Sequence, residues 1–343
     1  MKKLTAIILA FVLILSLTAC EKASDDRIVG KVSEDAIYMW ELNFFLDSVK
    51  AELINQAQLN SEEEIEDFWK NTEIDGTPAK EVAKNKAFEQ ATLFKQKVVL
   101  AKESGATLTE EMNSEIKTQI SETQKSMGGK DAFKQALSEI GMIEDNYKTM
   151  LENYYLVDTY YKSLVDNNTL TVDDAQIAEY YEKNKSDFRN KVTAKHILFS
   201  TVDTATQEPK FEEEQKKAEE TAKDIYAKIT SGELDFDKAM NEYSEDPGLA
   251  TNPDGYTFGR NEMVKPFEEA SFNASVGEIV APVKSDFGWH IIYVTDAVDT
   301  PLEEASESIK STLLSEAFDK YTSEKAKNLK VERINDMIDK VKF

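Results

Sequence analysis

Residues 192–200 read VTAKHILFS and residues 288–294 read GWHIIYV. Each is an apolar, strand-like run with one histidine in it. His196 and His290 are the only two histidines in the 343-residue chain. If the two runs pair in one sheet, both imidazoles face a single site. A lone histidine in a strand is more often a hydrogen-bonded core residue than a catalyst, so the residues between the two runs decide the reading.

That intervening block has a legible order. Val192 to Ser200 is a strand. Phe211 to Thr230 is a long, highly charged helix closed by Ser231-Gly232, and Asp235 starts a short helix through Tyr243. Ser244 to Ala250 and Asn252 to Gly259 are irregular. Lys265-Pro266-Phe267 opens a helix to about Phe272, with Pro266 suited to the first turn. Val276-Gly277-Glu278 leads into a strand ending near Lys284, and Asp286-Phe287-Gly288 leads into a last strand, Trp289 to Thr295. This order predicts a small antiparallel sheet with helices packed on it, an α+β module.

Outside the block the pattern is helical. Arg27 to Val32 reads as a short strand. From Tyr38 onward Trp40, Phe44, Leu46 and Val49 fall near helical spacing, and amphipathic stretches follow at about 61–70, 79–103, 109–126, 130–139 and 144–166. Their aromatic residues are read mainly as core, with a minority lining a groove for unfolded chains. Thr171 caps a further helix to about Asn184. Asp299-Thr300-Pro301 marks a boundary, and residues 302–341 read as helix with Ile309, Leu313, Leu314, Phe318 and Tyr321 on one face. A lone terminal helix must bury that face, and the N-terminal region is its natural partner. The expected organisation is a discontinuous helical domain, residues 27–185 plus a C-terminal helix in 299–343, with residues 190–298 inserted between.

The N-terminus carries a separate signal. Lys2 and Lys3 precede an apolar run from Leu4 to Leu17, too short to span a membrane comfortably. Residues 1–19 therefore read as a secretory signal and residues 20–26 as a tether. Leu17-Thr18-Ala19-Cys20 resembles the bacterial lipobox, which makes Cys20 the lipidation site. Cys20 is the only cysteine, so no internal disulfide competes for it. Loss of residues 1–19 removes two lysines and takes the formal charge from −24 to −26. Such a chain repels phosphate backbones and anionic headgroups, so nucleic-acid binding is not expected and the lipid, not charge, holds the protein to its membrane.

At Ala194-Lys195-His196-Ile197-Leu198, Ser244-Glu245-Asp246-Pro247-Gly248, Met263-Val264-Lys265-Pro266-Phe267-Glu268-Glu269-Ala270, Gly277-Glu278 and Gly288-Trp289-His290-Ile291-Ile292, in this order and spacing, the block resembles the parvulin family of peptidyl-prolyl cis–trans isomerases. The whole layout resembles the PrsA-type foldase lipoproteins of Gram-positive bacteria, with the SurA chaperone more distantly similar. The resemblance implies that the family's polar site falls on His196, Asp246 and His290 and its proline pocket on Met263 and Phe267. A hydroxyl position of the family aligns with Phe287, which has none. The usual Gly-Asp-Leu-Gly turn is replaced by Pro253-Asp254-Gly255-Tyr256, so Tyr256 or Phe258 is expected to wall the pocket in place of the leucine.

The implied chemistry suits these residue types. Rotation about an X–Pro bond costs about 18–20 kcal/mol in lost amide resonance, yet no bond breaks. Neither nucleophile, metal nor cofactor is needed. An apolar pocket holds the ring and desolvates the amide, and about 4 kcal/mol off the barrier is roughly a thousandfold in rate. The expected partners are unfolded secreted proteins with X–Pro bonds and, through Cys20, the extracytoplasmic face of the cell membrane; a homodimer is compatible with this. Two histidines without a second thiol argue against a metal site, and no Gly-x-Ser-x-Gly elbow supports a hydrolase. The alternative is a holdase chaperone whose isomerase block is weakly active or inactive.

Overall fold

A computed structural model describes residues 24–203, 206, 208–341 and 343. The signal segment and Cys20 lie outside the described residues. The chain divides into two compact units, one formed by residues up to 171 together with 314–343, the other by residues 172–313. The protein is α+β, as its sequence pattern predicts.

The first unit begins with a hairpin of β1 (Ile28–Val32) and β2 (Asp35–Tyr38). Helices α1 (Met39–Gln56) and α2 (Glu62–Asn71) follow, then the two-residue strands β3 (Glu73–Ile74) and β4 (Thr77–Pro78). Helices α3 (Ala79–Glu103), α4 (Glu110–Ser126), α5 (Lys130–Glu139) and α6 (Glu144–Asp166) complete it. Local chemistry sets the starts: the Ser61 hydroxyl accepts from Glu64 N while the Glu64 carboxylate accepts from Ser61 N, and Thr109 accepts from Met112 N. Helices α1 and α3 are apolar on two sides because they serve two cores. Leu42, Leu46, Val49, Ala83 and Ala87 join the sheet, while Phe44, Phe94 and Val98 join α4, α5 and α6. Between them the buried pair Glu41–Lys95 closes at 2.6 Å, and Glu41 also accepts from Tyr38 N at 2.9 Å. Each of these charges is tolerated in the core only because the other is present.

The second unit holds α7 (Asp174–Lys183), β5 (Arg189–Ser200), α8 (Glu212–Thr230), α9 (Phe236–Tyr243), β6 (Tyr256–Phe258), α10 (Lys265–Asn273), β7 (Ile279–Ser285), β8 (Gly288–Asp299) and the first part of α11 (Leu302–Ala326). Its sheet is antiparallel, in the order β6-β5-β8-β7. One face carries Ile197, Phe199 and Ile291 against α8 and α9. The other carries Val192, Ala194, Ile292 and Val294 against Phe267 and Phe272 of α10. The histidines stand on this second face.

Three local features differ from the sequence reading. Strand β8 extends to Asp299 and pairs with β5 along its whole length. Residues 172–188 and 299–313 lie in the second unit: Ile177 and Tyr181 of α7 pack on Ala305 and Ile309, and Tyr181 Oη donates to Thr300 O at 2.7 Å. The terminal segment is not helical throughout. After Ala326 it forms β9 (Val331–Arg333), which pairs with β1, and a short α12 (Asn335–Ile338). Gly30 makes that pairing possible, since a Cβ there would lie 2.6 Å from Glu332 O and 2.8 Å from the Phe88 ring. From residue 314 onward α11 belongs to the first unit, where Phe318 meets the Tyr160 and Tyr161 rings.

Candidate active site

The register of β5 and β8 brings the two histidines together. His196 stands opposite Ile292 and Leu198 opposite His290, so the imidazoles are diagonal neighbours on one face. Their rings stack at 5.3 Å between centroids, and Nδ1 of each lies 3.1 Å from Nδ1 of the other. The edge-on ring of Phe267 meets both, at 5.2 and 5.3 Å.

Both outer nitrogens are also engaged. His196 Nε2 lies 3.0 Å from Asp246 Oδ2, and His290 Nε2 lies 2.7 Å from Ser285 Oγ. Asp246 Oδ2 accepts a second bond from the Tyr256 hydroxyl at 2.8 Å, and its Oδ1 accepts from Gly248 N at 3.0 Å. Burial opposes the Asp246 charge, but the bonds from His196, Tyr256 and Gly248 outweigh it and hold its pKa at about 2. Burial, then the neighbouring His196 ring, lowers His290 to about 3. Burial, then the bond to Asp246, raises the Tyr256 phenol to about 12.

Hydrogen-bond chemistry orders the protons. An ionised carboxylate only accepts, so His196 Nε2 carries hydrogen. One tautomer set then satisfies every remaining bond: His196 Nδ1 accepts from His290 Nδ1–H, and His290 Nε2 accepts from the Ser285 hydroxyl. Phe287 N completes the set by donating to Ser285 Oγ at 3.1 Å. All donors from Ser285 through His290 and His196, and from Tyr256 on the other side, point toward Asp246. No side chain in this relay is left as a free general base.

The relay floors a cavity of about 420 Å³. His196, His290, Asp246, Met263, Phe267, Phe287 and Tyr256 line it. Phe258 does not. It is 1% exposed and packs behind Phe267 at 5.7 Å between ring centroids, so of the two residues expected to replace the missing leucine only Tyr256 reaches the cavity. The expected loss of the hydroxyl is also corrected, because Ser285 supplies one. The two-residue turn at Asp286-Phe287 sets Ser285 opposite Gly288 and Val283 opposite His290, which puts Ser285 diagonal to His290 on the same face. That register was the available signal, and aligning on Phe287 passed over it.

The family described as Rotamase, PPIC-type PPIASE domain, matches residues 196–296. The chain carries a parvulin-type peptidyl-prolyl isomerase domain. It is 41% identical over 128 residues to the foldase protein PrsA of Geobacillus kaustophilus, covering 37% of this chain and 38% of that protein. It is 29% identical over 354 residues to the foldase protein PrsA of Clostridium tetani, covering 96% of this chain and 95% of that one. The crystal structure of a PrsA peptidylprolyl isomerase from Bacillus cereus aligns with 88% of this chain and 90% of its own at 23% identity and a TM-score of 0.34.

The isomerase domain contains both histidines of the chain, so ring-nitrogen spectra of the full-length protein report only these two. On lowering the pH from about 7 to about 4, His290 is expected to stay neutral. The unfolded chain takes up this proton near 6.5 and the folded one near 3, so the domain loses stability as pH falls through that window. A His290 midpoint near 6.5 in an NMR titration would contradict the assignment.

Proposed function

We propose that this chain is a membrane-anchored, extracytoplasmic foldase that catalyses cis–trans isomerisation of X–Pro bonds in unfolded secreted proteins. The observation that carries the reading is the apolar cavity walled by Met263, Phe267, Leu198, Val264 and Phe287 and floored by a fully bonded polar relay. Met263 and Phe267 hold the proline ring while the preceding carbonyl swings. Enclosure strips water from the amide and disfavours its charge-separated form, lowering the rotational barrier. Asp246 sets negative charge beside the rotating amide, and His196 and His290 keep it in place without exchanging a proton with the substrate. Similarity along nearly the whole chain to the Clostridium tetani foldase supports a role in assisting folding. The unbroken relay favours an active isomerase over an inactive, holdase-only domain.

Full-length protein is expected to accelerate isomerisation of a proline tetrapeptide. Met263→Ala or Phe267→Ala, each removing apolar contact of about 1.5–3 kcal/mol, lowers kcat/KM by roughly tenfold or more. Turnover no faster than background in the unmutated chain would remove the isomerase reading and leave a chaperone.

Charge sets a second expectation. The formally charged residues lining the cavity are Asp246 and Glu262, both acidic. Nearby Lys210 is tied to Ser200 O at 3.0 Å and to Glu245 at 2.9 Å. Peptides with glutamate before proline should therefore turn over more slowly than those with leucine, by roughly fivefold for about 1 kcal/mol of repulsion. Equal rates in low salt would exclude this selectivity.

Among the described residues no helix is long and apolar enough to cross a membrane. The lipobox-like Leu17-Thr18-Ala19-Cys20 supports anchoring through lipid on Cys20. Cells fed labelled palmitate should incorporate it into the wild type and not into Cys20→Ala, which should be released from the membrane fraction. Label retained in the variant would place the anchor elsewhere.

A further inference from the structure

Tyr256 has a role that pocket lining does not explain. Its hydroxyl ends at Asp246 Oδ2, the same oxygen that receives His196 Nε2. Its ring meets His196 edge-on at 5.7 Å. The route of the hydroxyl is built into the backbone: a Cβ on Gly248 would lie 1.9 Å from Tyr256 Oη. The same glycine donates its N–H to Asp246 Oδ1. Gly248 thus holds one carboxylate oxygen and leaves space for the phenol that holds the other.

We infer that Tyr256 is a positioning residue, and that the Tyr256–Gly248 pair clamps the Asp246 carboxylate in one rotamer and in its charged form, which orders the protons of both histidines. A carboxylate with two oxygens and a free χ2 has several ways to meet a nearby imidazole. The clamp leaves one. With Oδ1 fixed by Gly248 and Oδ2 by Tyr256, His196 must donate through Nε2. His290 must then present Nδ1–H to His196 and its bare Nε2 to Ser285. Without the phenol, Asp246 loses a charge-assisted donor and is free to turn toward the cavity, where its charge meets the substrate amide in a different place. The phenol has a single hydrogen to give, and it goes to Asp246 Oδ2.

The inference rests on the isomerase reading for its kinetic arm and on geometry alone for its spectroscopic arm. Tyr256→Phe in the full-length protein keeps the ring and removes the hydroxyl. Expected results are a kcat lower by about tenfold with KM little changed, an Asp246 carboxyl titrating at higher pH, and ring-nitrogen signals of the two histidines averaged between tautomers. Tyr256→Leu removes the cavity wall as well and should raise KM in addition. Gly248→Ala displaces the phenol and should reproduce the Tyr256→Phe profile, with the double variant no worse than either single one. If Tyr256→Phe leaves the tautomers and the Asp246 titration as in the wild type, the clamp is wrong, whatever the activity. If the wild type proves inactive while these signals still shift, the isomerase reading fails and the clamp stands. Additive losses in the double variant would show that Gly248 and Tyr256 act separately, which also overturns the proposal.

Discussion

The pairing of β5 with β8 is the constraint on which the site depends. Both strands are 12 residues long and antiparallel, so their register is held by many bonds at once. A slip of one residue turns every side chain to the opposite face. Here it would send one histidine under α8 and α9, into the cluster of Ile225, Ile229 and Phe236. The other polar residues reach the site because their segments are bonded to these strands. Glu245 N donates to Leu198 O at 2.8 Å and Leu198 N to Ser244 Oγ at 3.1 Å, which fixes the loop carrying Asp246. Ser285 arrives through the β7–β8 turn. Five separate stretches of chain, β5, the loop of Asp246, β6, β7 and β8, thus deliver one polar group each to the same site.

Electrostatics then sorts those groups. Asp246 stays charged because three donors converge on it. His290 is buried deeply enough that a second charge there is disfavoured. A buried network is stable when each member has its partner and costly when one lacks it. Among the described residues no buried side-chain nitrogen or oxygen lacks a hydrogen bond.

Much of this was legible in the amino-acid sequence, for identifiable reasons. Helices α2 through α6 follow from apolar period, and the structure sets their starts with local caps such as Ser61 and Thr109. The two histidine strands follow from short apolar runs ending at glycine or polar residues. Long-range pairing was less visible. Nothing in Val331–Arg333, whose residues are all exposed, announces a strand; it forms because β1 offers an edge and Gly30 offers room. Tyr256 and Phe258 were interchangeable on composition and share one face of β6; depth separates them, with Phe258 opposite Val192 in the core and Tyr256 opposite Ala194 at the cavity. Ser285 was hidden because its importance lies in cross-strand register, which a linear alignment does not display.

A complete relay looks excessive for a reaction in which no proton moves. Its value lies in dryness. Water enters a cavity where an unpaired polar atom can hold it, and a site needs only a few such atoms to keep a molecule bound. Ser285, His290, His196, Tyr256 and Asp246 spend their donors and acceptors on one another, leaving Met263, Phe267 and Phe287 as the apolar surface of the proposed proline pocket. An amide lowered into that surface loses its hydration, and with it the solvent support for the charge-separated form that makes rotation slow. On this view the polar residues contribute by being satisfied, and the apolar ones by being exposed beside them.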